Sequence, residues 1–422
     1  MSPRVKISQH SPSRASSRPR NYRVEALRLV AIAGIAVFHT FQELFAHAVE
    51  ASTWLGPVGP AALADAAASG GVASAAAAFP AALALLGFIN LLGTFGNHVF
   101  FSISGRFLIP SMAARAGEDG YWRDAYLRTA RRGAVILFSV AWYAVFALII
   151  DAWIFPLPGI GFDQSAWIVG GLQFIWVYLA LIVLAPVLSW IWWRLGSRRM
   201  PAVAIFVLAV FAVNAYIAFV SPGEVERGLL EWRKIMSAVS YAASFISGAV
   251  VGELADRSDA GTWRRRSLVS LAAVLILCAV VEVACAYAGR ADLLQALSFK
   301  STSLLSFALA LAALAVALGT PARQSSSASR ASAVVARAAS AILGFYILQS
   351  FTYLVWRPYA DALLADTFSA VMAAGDPTLP LVAAALGVAV VAGILFAFAF
   401  LICSIAVDLL GRVSAIKAIG LR

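Results

Sequence analysis

Charged side chains are scarce in this sequence. Asp, Glu, Lys and Arg make up 13% of its 422 residues, about half of the roughly 25% that is usual in a soluble globular domain. Hydrophobic residues make up 62%, and the mean hydropathy is +0.85. This composition excludes an ordinary water-soluble protein and indicates an integral membrane protein.

Cysteine pairs and metal-ligand patterns are also missing. The three cysteines, Cys278, Cys285 and Cys403, fall within apolar runs and have no metal-ligand spacing, so we expect neither a disulfide framework nor a metal site. We find no internal repeat, no nucleotide-binding glycine loop and no appended soluble domain. We therefore expect any chemistry to come from side chains on membrane-spanning helices and short loops.

Long apolar runs recur along the whole chain. A helix needs about 20 apolar residues to cross a hydrocarbon core of about 30 Å. We therefore predict an all-α, polytopic membrane helical bundle with ten spans, at approximately residues 27–46, 84–109, 133–153, 166–193, 201–220, 236–252, 267–289, 299–319, 338–356 and 381–409.

Basic residues alternate between the predicted loops. Membrane proteins retain Lys and Arg on the cytoplasmic side. If both termini are cytoplasmic, 25 of the 32 Lys and Arg residues lie on that side. We therefore predict a multi-pass cell-membrane protein with both termini cytoplasmic. Contact with anionic lipid then explains the net charge of +11, and no nucleic-acid partner is needed.

The chain ends differ in composition from the apolar region between them. Residues 1–22 are rich in Ser, Arg and Pro and predict a disordered, basic cytoplasmic leader. Residues 23–411 form the predicted transmembrane domain, and residues 412–422 a short basic cytoplasmic tail. The Ala/Gly-rich outside segment 48–82 is compatible with a short interfacial or re-entrant helix, and its sequence indicates no role.

Two costly polar residues occupy the first predicted span, in the stretch RLVAIAGIAVFH. Arg28 and His39 are 11 residues apart, so on a helix they share one face, roughly 16 Å apart along the axis. An ionisable side chain at membrane depth costs about 2.5 to 3.5 kcal/mol on insertion scales and usually faces a cavity, a partner or a pathway. This stripe is therefore our first candidate site.

Acidic residues extend the stripe at both ends. Glu25 lies three residues before Arg28, and Glu43 lies four residues after His39, so each acid can reach its basic neighbour. A cation near the cytoplasmic mouth suits a phosphate or carboxylate, and an imidazole suits a general base. We expect Glu43 to orient the ring of His39. The spacing is equally compatible with a polar group that ties two helices together.

Arginines next to the second and third spans are further candidates. Arg106 interrupts the apolar stretch FFSISGRFLI, close enough to the membrane edge for its guanidinium to snorkel. On a helix, Arg128, Arg131 and Arg132 form one cationic patch at the same membrane face as Arg28. Guanidinium groups bind phosphate through a planar fork of donors, although the positive-inside bias alone also explains arginines here.

Three motifs together resemble one family. RLVAIAGIAVFH is similar to the arginine, ten residues, histidine signature in the first span of the membrane acyltransferase 3 family. FFSISGRFLI resembles the FFxxSGFLI second span of that family, and RTAR resembles its Arg-x-x-Arg element. The motifs stand in the family's order and cover mainly residues 23–140.

The resemblance implies a membrane-embedded O-acyltransferase. Such an enzyme moves an acyl group, often acetyl, from cytoplasmic acyl-CoA to a hydroxyl of an extracytoplasmic acceptor, commonly a cell-surface glycan. It implies that His39 is the catalytic histidine with Arg28 as its companion. It also implies that Arg128 and Arg131 contact the phosphates of acyl-CoA, with Arg132 as a further candidate.

Two positions depart from the family pattern. Arg106 stands inside the usually apolar SGFLI element, where it either alters the second-span packing or adds a phosphate contact. Gln349 stands in LGFYILQ, where a family-like YLLH has a histidine. The second departure implies that an accessory role of a late histidine is absent.

The sequence leaves alternatives for both mechanism and function. His39 can act as a general base on the acceptor hydroxyl or as a transient acyl carrier with ping-pong kinetics. A secondary transporter or lipid-linked glycan flippase also needs intramembrane polar residues, but such carriers often show repeated halves. A structural or sensor membrane protein would explain the hydropathy, but it would not explain the polar stripe that contains His39. Acyl transfer is the function that the sequence favours.

Overall fold

The computed structural model describes residues 21–55, 71–161, 166–220, 229–298, 302–319, 330–375 and 378–420. Within these ranges the protein is all-helical, without a β-strand. The helices are α1 (Tyr22–Leu55), α2 (Pro80–Ala113), α3 (Tyr121–Trp153), α4 (Ala166–Val169), α5 (Gln173–Leu195), α6 (Arg199–Ala215), α7 (Leu229–Arg257), α8 (Ala260–Tyr287), α9 (Ala291–Ser298), α10 (Leu304–Leu318), α11 (Arg330–Ala339), α12 (Ile342–Phe351), α13 (Tyr353–Met372), α14 (Leu379–Leu410) and α15 (Arg412–Ala418).

Seven helical runs in the described part of the chain are long and apolar enough to cross a membrane. The number reaches eight if α11 and α12, which meet at 42°, form one broken span, and α10 is apolar but shorter. The prediction of an all-α, multi-pass membrane bundle is confirmed at this level. The count of ten spans stays a prediction.

The longest apolar run, α5 together with α6, turns back on itself. At its start, the ring of Phe174 contacts the ring of Tyr241 in α7, with centroids 5.9 Å apart. At its middle, Arg199 pairs with Glu253, about three turns further along α7. Near its end, Nδ2 of Asn214 donates to the hydroxyl of Ser240 in α7 at 2.9 Å. The run therefore passes α7 twice in opposite directions, as the two arms of a helical hairpin do.

Helix α2 is the centre of the bundle, with α1, α5, α7, α8 and α10 packed around it. Small residues allow its close approach to α7. A Cβ on Gly105 would overlap the carbonyl oxygen of Phe245, and a Cβ on Gly248 would overlap that of Ser102. Gly105 and Gly248 thus permit close packing of α2 on α7, as small residues commonly do between membrane helices.

Helices α1 and α2 run antiparallel. Gly93 packs on the ring of Phe38, and Gly96, one turn later in α2, packs on the carbonyl of Ala31, which lies earlier in α1. Helix α2 therefore runs toward the end of the bundle where α1 begins and α3 starts. We call this end the Arg28 side and the opposite end, where α1 ends, the far side.

The predicted segments outside the spans are described only in part. Of the leader predicted at residues 1–22, all but the last two residues lie outside the described ranges, and Tyr22 begins α1. Of the segment 48–82, residues 48–55 continue α1, residues 71–78 are helical and lead into α2, and residues 56–70 are outside the described ranges.

The predicted C-terminal tail starts inside the bundle. Arg412 begins α15 and is 3% exposed, with bonds to Asp408 at 2.5 and 2.7 Å and to the hydroxyl of Ser139 at 3.0 Å. Tyr143 donates to the same carboxylate at 2.7 Å. These contacts satisfy the buried charges and hold the start of α15 against α3 and α14, and the domain boundary at residue 411 stays a prediction.

Candidate active site

The predicted polar stripe lies on one uninterrupted helix. Helix α1 spans 34 residues and carries Glu25, Arg28 and His39. Arg28 donates to both carboxylate oxygens of Glu25, at 3.0 and 3.1 Å. The expected contact between these two residues is therefore confirmed, and Arg28 is held near the start of α1.

His39 forms part of the wall of a cavity of about 800 Å³. Other parts of the wall come from α2, α4, α5, α7, α12 and α13, so the site joins residues from distant parts of the chain. Among the described lining residues, His39 is the only ionisable one apart from tyrosine. The carboxamides in the wall are Gln42, Asn97, Gln173 and Gln349, and the aromatic rings are Phe38, Trp167, Phe174, Tyr241, Tyr346, Phe351 and Tyr353.

The ring of His39 contacts a different neighbour from the one expected. Its Nδ1 lies 3.2 Å from Oε1 of Gln42, on the same helix. Glu43 instead accepts a hydrogen bond from the hydroxyl of Tyr353 at 3.2 Å. The prediction that Glu43 orients the imidazole is therefore corrected: Gln42 makes the contact, because its side chain lies on the cavity side of α1.

The contact with Gln42 bears on the tautomer of the His39 ring. The amide oxygen of Gln42 can only accept, so the contact is a hydrogen bond in the tautomer protonated at Nδ1, and in that tautomer Nε2 keeps its lone pair. A free lone pair on a cavity-lining imidazole is what a general base or a nucleophile requires.

A hydrogen-bonded row of side chains lines the same cavity. Tyr346 donates to Oδ1 of Asn97 at 3.0 Å, and Nδ2 of Asn97 donates to the hydroxyl of Tyr241 at 3.0 Å. The rings of Tyr346 and Phe174 stack with centroids 4.5 Å apart. Gln349, singled out by its position in the sequence, is 4% exposed, and its Nε2 has no hydrogen-bond partner within the described structure. Its Nε2 is therefore a buried, unpaired donor, within the described structure, on a residue of the cavity wall.

The arginines of the predicted cationic patch lie on the Arg28 side, because they are near the start of α3. Arg131 and Arg132 are exposed. Arg128 is partly buried, and its Nη2 has no hydrogen-bond partner among the described residues. No ion pair to a described acidic residue neutralises these three cations, so their guanidinium groups remain available to an anion.

Arg106 is in a different situation. It makes two hydrogen bonds of 2.8 Å to the carboxylate of Asp256, near the end of α7. Its side chain packs against Gly252, where a Cβ would overlap it. The expectation of a phosphate contact is not supported by this pairing, because Asp256 already neutralises the guanidinium.

The comparison with known protein families gives the observation that decides to which family the chain belongs. The family model described as an acyltransferase domain, that of the acyltransferase 3 family, matches residues 21–407. The chain belongs to the acyltransferase 3 family. The resemblance read from residues 23–140 is confirmed and extends over nearly the whole chain. Comparisons with curated proteins and with solved structures find no match.

The matched range of this acyltransferase 3 protein includes every residue of the cavity wall and of the cationic patch. The protein is therefore a membrane acyltransferase, and its cavity contains an imidazole that can take part in group transfer. No group of His, Cys, Asp and Glu in the described ranges is arranged to hold a metal ion.

Sequence reasoning missed most of the cavity wall of this acyltransferase. The contact of Gln42 with His39 could have been predicted from the sequence, because residues three apart lie on the same face of a helix. Asn97, Tyr241 and Tyr346 carry no such signal, because they come from three helices that only the fold brings together.

Proposed function

We propose that this membrane acyltransferase moves an acyl group, acetyl in the first instance, from cytoplasmic acyl-CoA to a hydroxyl of an extracytoplasmic glycan. The observation that carries the proposal is the position of His39 in the wall of a polar cavity. In the reaction, the acceptor oxygen bonds to the acyl carbon and the thioester C–S bond breaks. The hydroxyl proton goes to the imidazole and then to the departing thiolate.

The chemistry of the cavity wall supports a hydroxyl-rich acceptor. Carboxamides both donate and accept hydrogen bonds, as sugar hydroxyls do, and Nε2 of Gln349 is a donor without a partner among the described residues. The aromatic rings offer apolar faces to the C–H groups of a sugar. A volume of about 800 Å³ lies within the range of pockets that hold small organic ligands.

The cations on the Arg28 side support a phosphate-bearing donor. Arg128 and Arg131 form the Arg-x-x-Arg element, and Arg132 adjoins them. Arginine pairs with phosphate through two parallel N–H bonds. We propose that these three residues hold the phosphates of acyl-CoA on the Arg28 side, so that its thioester points along α1 toward His39. Arg28 and Arg106 are left out of these phosphate contacts, because Glu25 and Asp256 already pair with their guanidinium groups.

Two routes for the acyl group fit this arrangement. In one, His39 acts as a base while donor and acceptor meet in the cavity. In the other, Nε2 of His39 accepts the acyl group from the thioester and passes it to the acceptor hydroxyl. The second route predicts an acyl-enzyme that forms without acceptor.

The proposed direction of transfer requires a defined topology. We propose ten spans with both termini cytoplasmic, which places the Arg28 side inside and the far side outside. A reporter that is active only in the cytoplasm should be active when fused after Arg422. The same reporter should be inactive when fused in the segment between α1 and α2. The reverse pattern would contradict the topology.

The central experiment is mass spectrometry of envelope glycans from matched cells with and without this protein. We expect acyl groups, acetyl first, on glycan hydroxyls only in cells that contain it, with isotope label transferred from labelled acyl-CoA. Identical glycan acylation in both cell populations would contradict the proposed acceptor.

A further inference from the structure

Arg357 contacts the main chain of the candidate catalytic residue. Its Nη1 donates to the carbonyl of His39 at 2.7 Å and lies 3.4 Å from the carbonyl of Thr40. Its Nε and Nη2 bond to the two oxygens of Asp361 at 2.8 and 2.5 Å. The Arg357 side chain is 7% exposed. A buried guanidinium is thus divided between an acidic partner on α13 and the backbone of α1.

A second contact lies one turn away on both helices. Tyr353, four residues before Arg357 on α13, donates to Glu43, four residues after His39 on α1. Residues four apart on a helix share a face, so the two contacts join one face of α13 to one face of α1. We call this pair of contacts the α1–α13 clamp.

The clamp acts on the geometry of His39. A helical carbonyl that already accepts an intrahelical N–H has a second lone pair, and Arg357 occupies that position on His39 itself. The direction of a side chain follows from the position of its Cα and from its rotamer. A fixed carbonyl therefore restrains the imidazole in the cavity wall. Leu364 and Phe368 of α13 lie in the same apolar core as Phe41 of α1, so the two helices share packing besides the clamp.

We infer that Arg357 is a positioning residue for acyl transfer, which acts by fixing the His39 turn of α1 with support from Asp361, Tyr353 and Glu43. The inference rests on the proposed function, in which His39 takes part in the chemistry. It also gives Glu43 a part in the site through Tyr353, in place of a direct contact with the imidazole.

The test is Arg357→Lys, which keeps the positive charge but loses the fork that bonds Asp361 and the His39 carbonyl together. We expect kcat to fall by roughly 10²-fold, as for a displacement of about 1 Å in a catalytic group, with little change in the KM for acetyl-CoA. The rate at which diethyl pyrocarbonate modifies His39, followed by peptide mass spectrometry, should change in parallel. Tyr353→Phe should lower kcat less, and the double variant should lose less than the two single losses combined, because both residues act on one turn.

The matched control is Arg290→Lys. Arg290 also makes a two-point pair with an aspartate, Asp292, at 2.7 and 2.9 Å, but on an exposed surface. We expect wild-type kcat and wild-type His39 reactivity in this control. If Arg357→Lys does not fold, Tyr353→Phe carries the test, because it removes a single hydroxyl.

Two results overturn the inference: a folded Arg357→Lys protein with wild-type kcat, or a fall in kcat with unchanged His39 reactivity. If the wild-type protein transfers no acyl group, the proposed function fails. The reactivity of His39 still reports on the clamp in that case, so the two failures are distinguishable.

Discussion

Replacement of His39 by alanine should abolish acyl transfer while the protein still folds and inserts into the membrane. A positioned acid or base contributes about 10² to 10⁴-fold to a rate, and loss of a nucleophilic histidine removes the covalent route altogether. The fold should tolerate the change, because the side-chain hydrogen bond that the ring makes within the described part of the chain is to Gln42 of the same helix. Transfer of label from acetyl-CoA by purified protein measures the rate, and gel filtration measures folding.

His47→Ala is the matched control for His39. His47 lies on the same helix, and its side chain is exposed, so its loss should leave the rate unchanged. Incubation of wild-type protein with acetyl-CoA and no acceptor separates the two mechanisms, because only the covalent route leaves an acetyl group on His39. A folded His39→Ala protein with a normal rate would eliminate the proposed catalytic role.

Charge reversal at Arg128 and Arg131 should have the second-largest effect, and it should act on donor binding. A hydrogen bond to a charged group contributes about 1.5 to 3 kcal/mol, so two lost contacts correspond to roughly 10² to 10⁴-fold in the dissociation constant of acyl-CoA. Titration calorimetry with the Arg128→Glu, Arg131→Glu double variant measures this change. We expect no comparable change in acceptor affinity, because the acceptor cavity has no wall residue from α3.

Arg123→Glu provides the control for long-range charge. Arg123 lies in the first turn of α3, is exposed, and precedes the Arg-x-x-Arg element. Its reversal should change the affinity for acyl-CoA only slightly, because screening weakens interactions between exposed charges. Unaltered affinity in the Arg128 and Arg131 double variant would refute the donor assignment.

Hydropathy predicted the fold class correctly but not the lengths of the individual helices. The predicted first span, 27–46, is part of a 34-residue helix, because hydropathy marks the residues that lipid surrounds and does not show where the helix ends. Most of the runs predicted at 166–193 and 201–220 lies in one helical stretch, Gln173–Val220, that is long and apolar enough to count as a single candidate span. Contacts with α7 show that this stretch reverses direction. The region around 338–356 contains a 42° bend that composition does not reveal.

Helical periodicity indicated which residues of α1 lie near one another, but it could not indicate contacts between α1 and other helices. Glu25 and Arg28 pair as their spacing indicates. Spacing could not distinguish Gln42 from Glu43 as the partner of His39, because positions i+3 and i+4 are both within reach. Glu43 bonds to a tyrosine 310 residues away, and no local pattern contains that information.

By itself, the sequence determined a membrane-embedded helical protein with Arg28 and His39 on one helix face, because hydropathy and helical period are local properties of the chain. It also determined the motifs that placed the chain among the acyltransferases. Only the tertiary structure decided which residues surround His39, since the cavity wall comes from helices far apart in sequence. The tertiary structure also decided that Asp256 pairs with Arg106 and that Arg357 donates a hydrogen bond to the His39 carbonyl. The partner of such a charged side chain depends on which helices pack together.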